Sequence, residues 1–300
     1  MDYQQFVVET KEKISLLLGP SVDLQIHTAL KNNGNERTGI SLSTKEVNAS
    51  PTIYLEEFYE QFKLGLSLDA IAEKIVSIYK DVKLNDSVPI NCIRNFPEIC
   101  SKIAYRLVHA KKNEELLSTM PHIPYHDLAI VFFILFEVDN AGTATIPITN
   151  AFLDLWKIDT QSLYEIAQTN TPSLLPAAFK PMRVVIDELL SRPGDDNVLE
   201  DDVMFILTNP LRSFGAACIL YPGILEQIAC QLGENFYILP SSIHEVIIIA
   251  ESRSPSMGEL CHLVKETNQT QVNIEEVLSD TVYYYSFKEK ELIECPTFIS

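Results

Sequence analysis

The sequence predicts an α+β protein made mainly of antiparallel sheet hairpins with packed amphipathic helices. Of its 300 residues, 46% are hydrophobic and 21% are charged, a balance typical of a chain that folds around a core. Strand-like and helix-like patterns are mixed, but they do not alternate in the strict order that a parallel sheet requires. Pairs of strand-like runs are joined by short polar turns, which favours antiparallel pairing.

The first predicted elements are a helix and a hairpin. Apolar residues recur near helical spacing over Tyr3–Leu18, until a Gly-Pro pair ends the pattern. Residues 22–30 and 38–47 then alternate between apolar and polar side chains, and the turn residues 31–34 join them. We therefore expect two antiparallel strands after the first helix.

Helical patterns follow this hairpin. Residues 51–80 predict two helices that are separated at Gly65. Ser67 is a suitable N-cap for the second of them, because its hydroxyl can accept a backbone N–H of the first turn. Residues 98–119 are also amphipathic at helical spacing, and we predict a further helix there.

A second hairpin is predicted near the middle of the chain. Residues 126–136 form a nearly continuous apolar run, as expected for a strand that is covered on both faces. Turn residues at 139–142 and a return strand at 143–149 complete the hairpin. Residues 150–156 and 160–168 then predict two short helices.

The best candidate for a linker is the segment 192–202, which combines Pro, Gly and five acidic residues. We predict an N-terminal α+β region at 1–118 and a C-terminal α+β region at 119–300, with this acidic linker inside the second. The elements predicted after the linker are strands at 203–207 and 281–287, helices at 211–220, 223–232 and 257–267, and a hairpin over 236–250.

Charge and composition limit the classes of partner. The formal net charge is -18, and phosphate backbones are bound by clustered Lys and Arg, so neither nucleic acid nor an anionic membrane is an expected partner. The N-terminus has no basic segment followed by an apolar one, and the apolar runs are too short or too interrupted to span a bilayer. The six cysteines lie far apart without a C-x-x-C pair, which predicts reduced thiols and a cytoplasmic location.

The principal candidate site is the polar turn of the hairpin over 236–250, which carries Ser241, Ser242, His244 and Glu245. A nucleophilic serine needs a base within hydrogen-bond reach and a third group that orients the base. These residues, joined by His27, define a hydrolase-like site as an alternative. The turn has no G-x-S-x-G elbow and no glycine beside the serines for an oxyanion hole, which favours a binding or capping role.

A second candidate site consists of His122, His126 and Asp127. The i, i+4 spacing of the two histidines would suit a metal only on a helix, and two prolines in this segment prevent that helix. A loop site completed by His27 or His244 is the alternative. Because three ligands must converge and only two imidazoles are local, we expect no resident metal.

Two further features bear on function. The turn 31–34 lacks the repeated glycines and the following helix of a phosphate-binding loop, so no cofactor is predicted. Tyr283, Tyr284 and Tyr285 alternate between the two faces of a predicted strand. At least one of these rings is therefore expected to face solvent, where an aromatic side chain can anchor a partner.

Several phrases of the sequence are distinctive, and they lie at residues 30–34, 153–159, 164–167, 214–223 and 237–246. These phrases resemble a family of uncharacterised proteins from anaerobic gut Firmicutes, a domain of unknown function. The last portion is also similar to another uncharacterised Firmicute family. The resemblance covers nearly the whole chain and implies a bacterial cytoplasmic protein, but it supplies no catalytic residue.

The sequence thus predicts a non-enzymatic cytoplasmic protein that acts by binding, most simply to another protein. The absence of an intact catalytic motif in 300 residues motivates this prediction. The exposed aromatic strand or the polar hairpin turn would provide the surface. The alternative is the hydrolase-like enzyme that uses Ser241 or Ser242 with His244 and Glu245.

Overall fold

The strands of the protein pair in antiparallel fashion, and helices pack against them, which confirms the predicted α+β class. The structure is a computed structural model that describes residues 1–20, 22–43, 52–84, 93–138, 142–192 and 201–296. The strands are β1 Asp23–Leu30, β2 Glu36–Ser43, β3 Thr52–Tyr54, β4 Ile103–His109, β5 His122–Tyr125, β6 Leu128–Val138, β7 Gly142–Pro147, β8 Ala178–Pro181, β9 Met204–Thr208, β10 Phe236–Leu239, β11 Val246–Ala250, β12 Tyr283–Ser286 and β13 Glu291–Glu294. The α-helices are α1 Tyr3–Leu18, α2 Glu56–Lys63, α3 Leu68–Leu84, α4 Phe96–Ile99, α5 Glu114–Ser118, α6 Asn150–Trp156, α7 Thr160–Leu174, α8 Met182–Leu189, α9 Ile224–Leu232 and α10 Met257–Thr270.

The chain divides into two units, which are described separately. The first unit comprises Met1–Ile99 and Phe136–Ala144, and the second comprises Cys100–Leu135 and Thr145–Ser300. The division into an N-terminal region at 1–118 and a C-terminal region at 119–300 remains a prediction.

The first unit contains a three-stranded antiparallel sheet in the order β1-β2-β3. Helices α1 and α3 contribute one side of its core, because their apolar residues repeat at helical spacing. The sheet contributes alternate residues of β2 to the same core. Fully buried side chains of this core include Phe6, Ile14, Ile40, Leu42, Leu55, Ile71 and Ile75.

Several predictions for the first unit are confirmed. Helix α1 has the predicted bounds, and β1 pairs with β2 through the predicted turn. Helices α2 and α3 are separated at Gly65, whose φ of 102° suits glycine. The hydroxyl of Ser67 accepts the N–H of Ala70 at 3.2 Å, as expected of an N-cap. The helical prediction that began at residue 51 is wrong over Thr52–Tyr54, which form the short strand β3 beside β2.

The second unit contains two antiparallel sheets. Strands β4, β6 and β5 lie side by side in that order, and β7 also pairs with β6. A six-stranded sheet has the order β13-β12-β10-β11-β9-β8. The hairpins predicted for residues 126–149 and 236–250 are confirmed as β6 with β7 and β10 with β11.

The helix predicted for residues 98–119 is wrong in its central part. Residues Ile103–His109 form the strand β4, which pairs with β6 along its whole length. Both faces of β4 are covered, so apolar residues occupy successive positions and the alternation that marks a half-buried strand is lost. Helical turns lie only on either side of β4: the end of α4 and a 3-10 helix at Cys100–Lys102 precede it, and a 3-10 helix at Lys111–Asn113 and α5 follow it.

The helix predicted at 211–220 is also wrong. A 3-10 helix over Gly215–Leu220 follows an irregular loop, and its first five residues are buried. The segment is short and apolar, and periodicity alone does not separate such a run from an α-helix. Of the predicted linker at 192–202, residues 193–200 lie outside the described part of the chain, as do residues 139–141 of the predicted turn.

The cysteines and the lengths of the helices bear on the predictions of reduced thiols and of no membrane span. The described cysteines are all free: Cys218, Cys261 and Cys295 are buried, Cys100 is half-buried and Cys230 is exposed. Within the described ranges, every helix is too short or too polar to cross a bilayer.

Candidate functional site

The polar turn between β10 and β11 is held against the segment that follows α10. The carbonyl of Ser241 accepts the N–H of Leu278 at 3.1 Å, and Ser242 forms an isolated bridge with Val277. Both serines are buried. The turn is therefore a fixed part of the second unit.

The structure does not join the two serines to the imidazole of His244. The Oγ of Ser242 accepts the backbone N–H of His244 at 3.0 Å. The ring Nδ1 of His244 accepts the backbone N–H of Phe214 at 3.3 Å, and Nε2 lies 3.7 Å from a carboxylate oxygen of Glu276. Glu245 is half-buried beside this histidine. In the described residues, the ring nitrogens of His244 thus face a backbone amide and a carboxylate.

The surroundings of His244 keep the imidazole neutral. Burial lowers the pKa of His244 below its ordinary value of 6.5, and the charge of Arg106 acts in the same direction. The carboxylates of Glu276 and Glu245 oppose that shift. Because Nδ1 accepts the N–H of Phe214, a proton on Nδ1 would also break this hydrogen bond.

The loop 209–215 is held next to His244 in an unusual backbone conformation. Arg212 and Phe214 have φ values of 48° and 57°, in the left-handed region. A Cβ atom on Gly215 would lie 2.8 Å from Thr208 Cα and 2.5 Å from the carbonyl oxygen of His244. Such strain persists only where the surroundings impose it, and it is concentrated at functional sites.

Hydrogen bonds explain how the loop keeps this conformation. The side-chain amide of Asn209 donates to the carbonyl of Ser213 at 2.8 Å, within the loop. The hydroxyl of Thr208 donates to the carbonyl of His244, also at 2.8 Å. The ring of Phe214 stacks on the imidazole of His244, with 5.9 Å between the ring centroids. The loop therefore presents Phe214 at a fixed position.

On this aromatic ring lies the guanidinium group of Arg106. Its Cζ atom is 4.7 Å from the centroid of Phe214. Arg106 belongs to β4, where it is paired with Val131 and shares a sheet face with the apolar Ala104 and Val108. A cation therefore lies on an otherwise apolar face.

Arg106 has no anionic partner in the part of the chain that the structure describes. Its Nε atom is buried and has no hydrogen-bond acceptor among those residues. Burial lowers the pKa of Arg106 to about 10, and no carboxylate contributes to that shift. The side chain remains a cation at neutral pH, so an anion that reaches it would gain a charge-assisted hydrogen bond.

Sequence reasoning missed Arg106 because residues 98–119 were predicted to be a helix, on which an arginine is ordinary. A signal was nevertheless present. The run Ile103–His109 places a single arginine between apolar residues at alternate positions, and on a strand that arginine must lie on a covered face.

The metal candidates are placed as follows. His122 is exposed, and its Nδ1 lies 3.1 Å from the carbonyl oxygen of Met120. His126 occupies the turn before β6 with φ 54°, and its Nδ1 lies 3.4 Å from a carboxylate oxygen of Glu294. No group of three metal-ligating side chains that could hold an ion occurs within the described ranges.

The carboxylate of Asp127 has a different environment. It accepts hydrogen bonds from the hydroxyls of Ser279, Thr281 and Tyr283, the one from Thr281 at 3.0 Å. The Nε2 of His109 lies 4.0 Å away. Three donors satisfy one carboxylate, and this arrangement ties the turn before β6 to β12.

His27 and the tyrosine strand complete the list of candidates. His27 lies on β1 in the first unit, where its ring nitrogens are 3.4 Å from Ser41 Oγ and 3.3 Å from Thr52 Oγ1. In β12, Tyr283 and Tyr285 are buried and Tyr284 is half-buried, with its hydroxyl 3.0 Å from a carboxylate oxygen of Glu251. Tyr284 is thus the ring of this strand that is open to solvent.

Together, the fold and the site define an acidic α+β protein in which an arginine lies over an aromatic ring and has no anionic partner among the described residues. The chain belongs to a family of unknown function (DUF5688), whose model matches residues 3–287. The expected membership in a family of unknown function is thereby confirmed. No curated protein and no solved structure matches the chain.

Proposed function

We propose that the chain is a non-enzymatic, cytoplasmic binding protein whose Arg106 captures a carboxylate of a protein partner. The observation that carries this proposal is the guanidinium group itself, which is stacked on Phe214 with a buried Nε and no acceptor among the described residues. A partly buried cation with a buried N–H donor and no acceptor is unfavourable, and a ligand anion reduces that penalty.

A carboxylate is the anion that suits this site best. Arginine presents a planar set of donors that matches a carboxylate in a bidentate manner. The imidazole of His244 is held neutral nearby, so a single full positive charge is available. The net charge of -18 disfavours a polyanion, whereas a single carboxylate on a partner meets less repulsion.

The contacts of the serines favour binding over hydrolysis. His244 uses Nδ1 to accept a backbone N–H, and Ser242 uses its Oγ to accept another. A serine nucleophile requires the opposite arrangement, in which the ring nitrogen accepts the serine proton. These contacts therefore support binding in preference to hydrolysis at Ser241 or Ser242.

The proposal can be tested by NMR on the Nε–H signal of Arg106. Peptides with a free C-terminal carboxylate, their amidated forms, and benzoate with benzamide serve as probes. We expect the free acids to shift this signal and the amides to leave it unchanged. If the free-acid peptides bind and benzoate does not, the carboxylate belongs to a protein partner. If benzoate binds and the peptides do not, the proposal of a protein partner is contradicted.

The matched variants are Arg106→Gln and Arg37→Gln. Arg37 also lies over an aromatic ring, that of Tyr54, but it is paired with Glu57. We expect Arg106→Gln to weaken binding of the acids roughly 10-fold or more, as loss of a charged hydrogen bond does, and Arg37→Gln to have no effect. Equal affinity of Arg106→Gln and the unchanged protein would show that Arg106 is a structural side chain only.

A further inference from the structure

A cleft in the second unit, separate from Arg106, carries a second set of cations. It lies between β8, β9, α8 and the start of the loop 209–215, and its volume is about 240 Å³. Ala178, Val185 and Ile206 line it with apolar surface, while Lys180, Glu188 and Arg212 supply its charges. The cleft therefore combines a small apolar space with a charged group.

Two cations of the cleft share one carboxylate. One oxygen of Glu188 contacts the ammonium group of Lys180, and the other accepts from Arg212 at 2.7 Å. The pKa of Glu188 is lowered by Lys180 and then by Arg212, so the carboxylate is ionised at neutral pH. The three side chains carry a net charge of +1, in a protein whose net charge is -18. The cleft is thus a local cationic site in an acidic molecule.

The carboxylate of Glu188 is the anion that both cations of the cleft contact. The side chains of Lys180, Glu188 and Arg212 are 38%, 38% and 34% exposed, so the ion pairs are open to water and weak. Arg212 has left-handed backbone geometry, which carries a conformational cost, and its guanidinium group donates to Glu188. A ligand can therefore displace Glu188 without unfolding any element.

We propose that this cleft binds a phosphate monoester with a small apolar body, and that Glu188 is a tethered competitor that excludes monocarboxylates. Near pH 7.5 a phosphate monoester is largely a dianion, and arginine binds phosphate in a bidentate manner. A free monocarboxylate offers no more charge than Glu188, which competes at the high effective concentration of a tethered group. The dianion is favoured over Glu188, and the apolar residues accept the body of the ligand.

The test measures binding of phenyl phosphate to the full chain by calorimetry at pH 7.5, with benzoate as the monoanionic probe. We expect phenyl phosphate to bind and benzoate to bind at least 10-fold more weakly. Glu188→Gln removes the tethered competitor, so phenyl phosphate should bind about 10-fold more tightly and the discrimination against benzoate should fall. Arg212→Gln and Lys180→Gln should each weaken phenyl phosphate binding about 10-fold.

The matched control is Glu226→Gln. Glu226 forms an exposed ion pair with Lys290 in the same unit, so this variant removes the same negative charge at another place. If Glu188→Gln and Glu226→Gln change the affinity equally, the effect is one of net charge and the proposal is overturned. Unchanged affinity in Arg212→Gln would overturn it as well. Arg106→Gln should leave phenyl phosphate binding intact, so this proposal can fail or hold independently of the function proposed for Arg106.

Discussion

At the scale of single residues, Arg106 and His244 form an asymmetric pair. Both are partly buried, and burial lowers the pKa of each. The guanidinium nevertheless stays charged at neutral pH, whereas the imidazole, whose ordinary pKa is 6.5, stays neutral. One side chain therefore supplies charge, and the other supplies an acceptor that holds the backbone of Phe214.

The lowered pKa of His244 predicts a dependence of stability on pH. Below pH 6.5 the unfolded chain takes up a proton at this histidine that the folded chain does not, so the stabilisation from neutral His244 is present above pH 6.5. It is lost as the pH falls from 6.5 to the lower pKa of the folded state. Urea unfolding of the unchanged protein and of His244→Gln at pH 7.5, 6.5 and 5.5 measures this effect.

We expect the unchanged protein to lose more stability on acidification than His244→Gln does. The pKa of His109 is also lowered by burial, but that residue is present in both proteins and its effect cancels in the comparison. His262→Gln, at a side chain that is 80% exposed, is the control. A stability difference between the two proteins that is independent of pH would contradict the prediction.

Residue-scale features of the site were only partly predictable from the sequence. His244 was found because a polar turn interrupts two apolar runs. Its partner Phe214 lies 30 positions away, and no local pattern reports a hydrogen bond from a backbone amide to a distant ring nitrogen. Asp127 was considered as a metal ligand, but the three hydroxyls that it accepts from come from residues 279–283.

At the scale of elements, strands joined by a polar turn were predictable, including β6, which is buried on both faces. The strand β4 was not predictable in this way, because no hairpin turn marks it as a strand. The turn 31–34 and the turn of β10 with β11 stand between clear strand patterns. In β4, apolar residues on both faces gave a pattern close to that of a helix. Because β4 was predicted as a helix, the burial of Arg106 could not be predicted. Only the strand assignment shows that Arg106 lies on a covered face of the sheet.

The approach of the loop 209–215 to β9 predicts the effect of a methyl group at Gly215. A Cβ there would overlap Thr208 and the carbonyl of His244, so Gly215→Ala should lower the free energy of unfolding by about 1–3 kcal/mol. Gly258→Ala is the matched control, since it lies in α10 with no atom within 4 Å of the added Cβ. That change should raise stability by about 0.5–1 kcal/mol. Equal effects of the two substitutions in chemical unfolding would show that Gly215 is not closely packed.

At the scale of the whole molecule, composition and pattern were sufficient for the fold class, and the resemblance of short phrases was sufficient for the family. A continuous boundary is the natural expectation from sequence. The first unit instead takes a second segment, Phe136–Ala144, from within the central hairpin. The boundary between Leu135 and Phe136 falls within the apolar run of β6, and nothing in the composition of that run marks it.

The net charge predicts how salt affects the whole protein. Eighteen excess negative charges repel each other more strongly in the folded chain than in the expanded unfolded chain, and salt screens that repulsion. We expect the Tm to rise when sodium chloride is increased from about 10 mM to about 200 mM, a range over which the Debye length falls below roughly 10 Å. Sucrose at matched osmolality serves as the control. A fall in Tm with sodium chloride would mean that attractive ion pairs outweigh the net repulsion.

The unit boundary within β6 determines the order in which the two units are synthesised. It begins among residues of the second unit and ends among residues of the first, since the boundary falls between Leu135 and Phe136. A ribosome releases residues 1–99 well before Phe136–Ala144, and it releases residues 100–135 in between. The first unit is therefore complete only after residues 100–135 of the second unit have been synthesised. Completion of one unit and the start of the other fall in the same interval of synthesis.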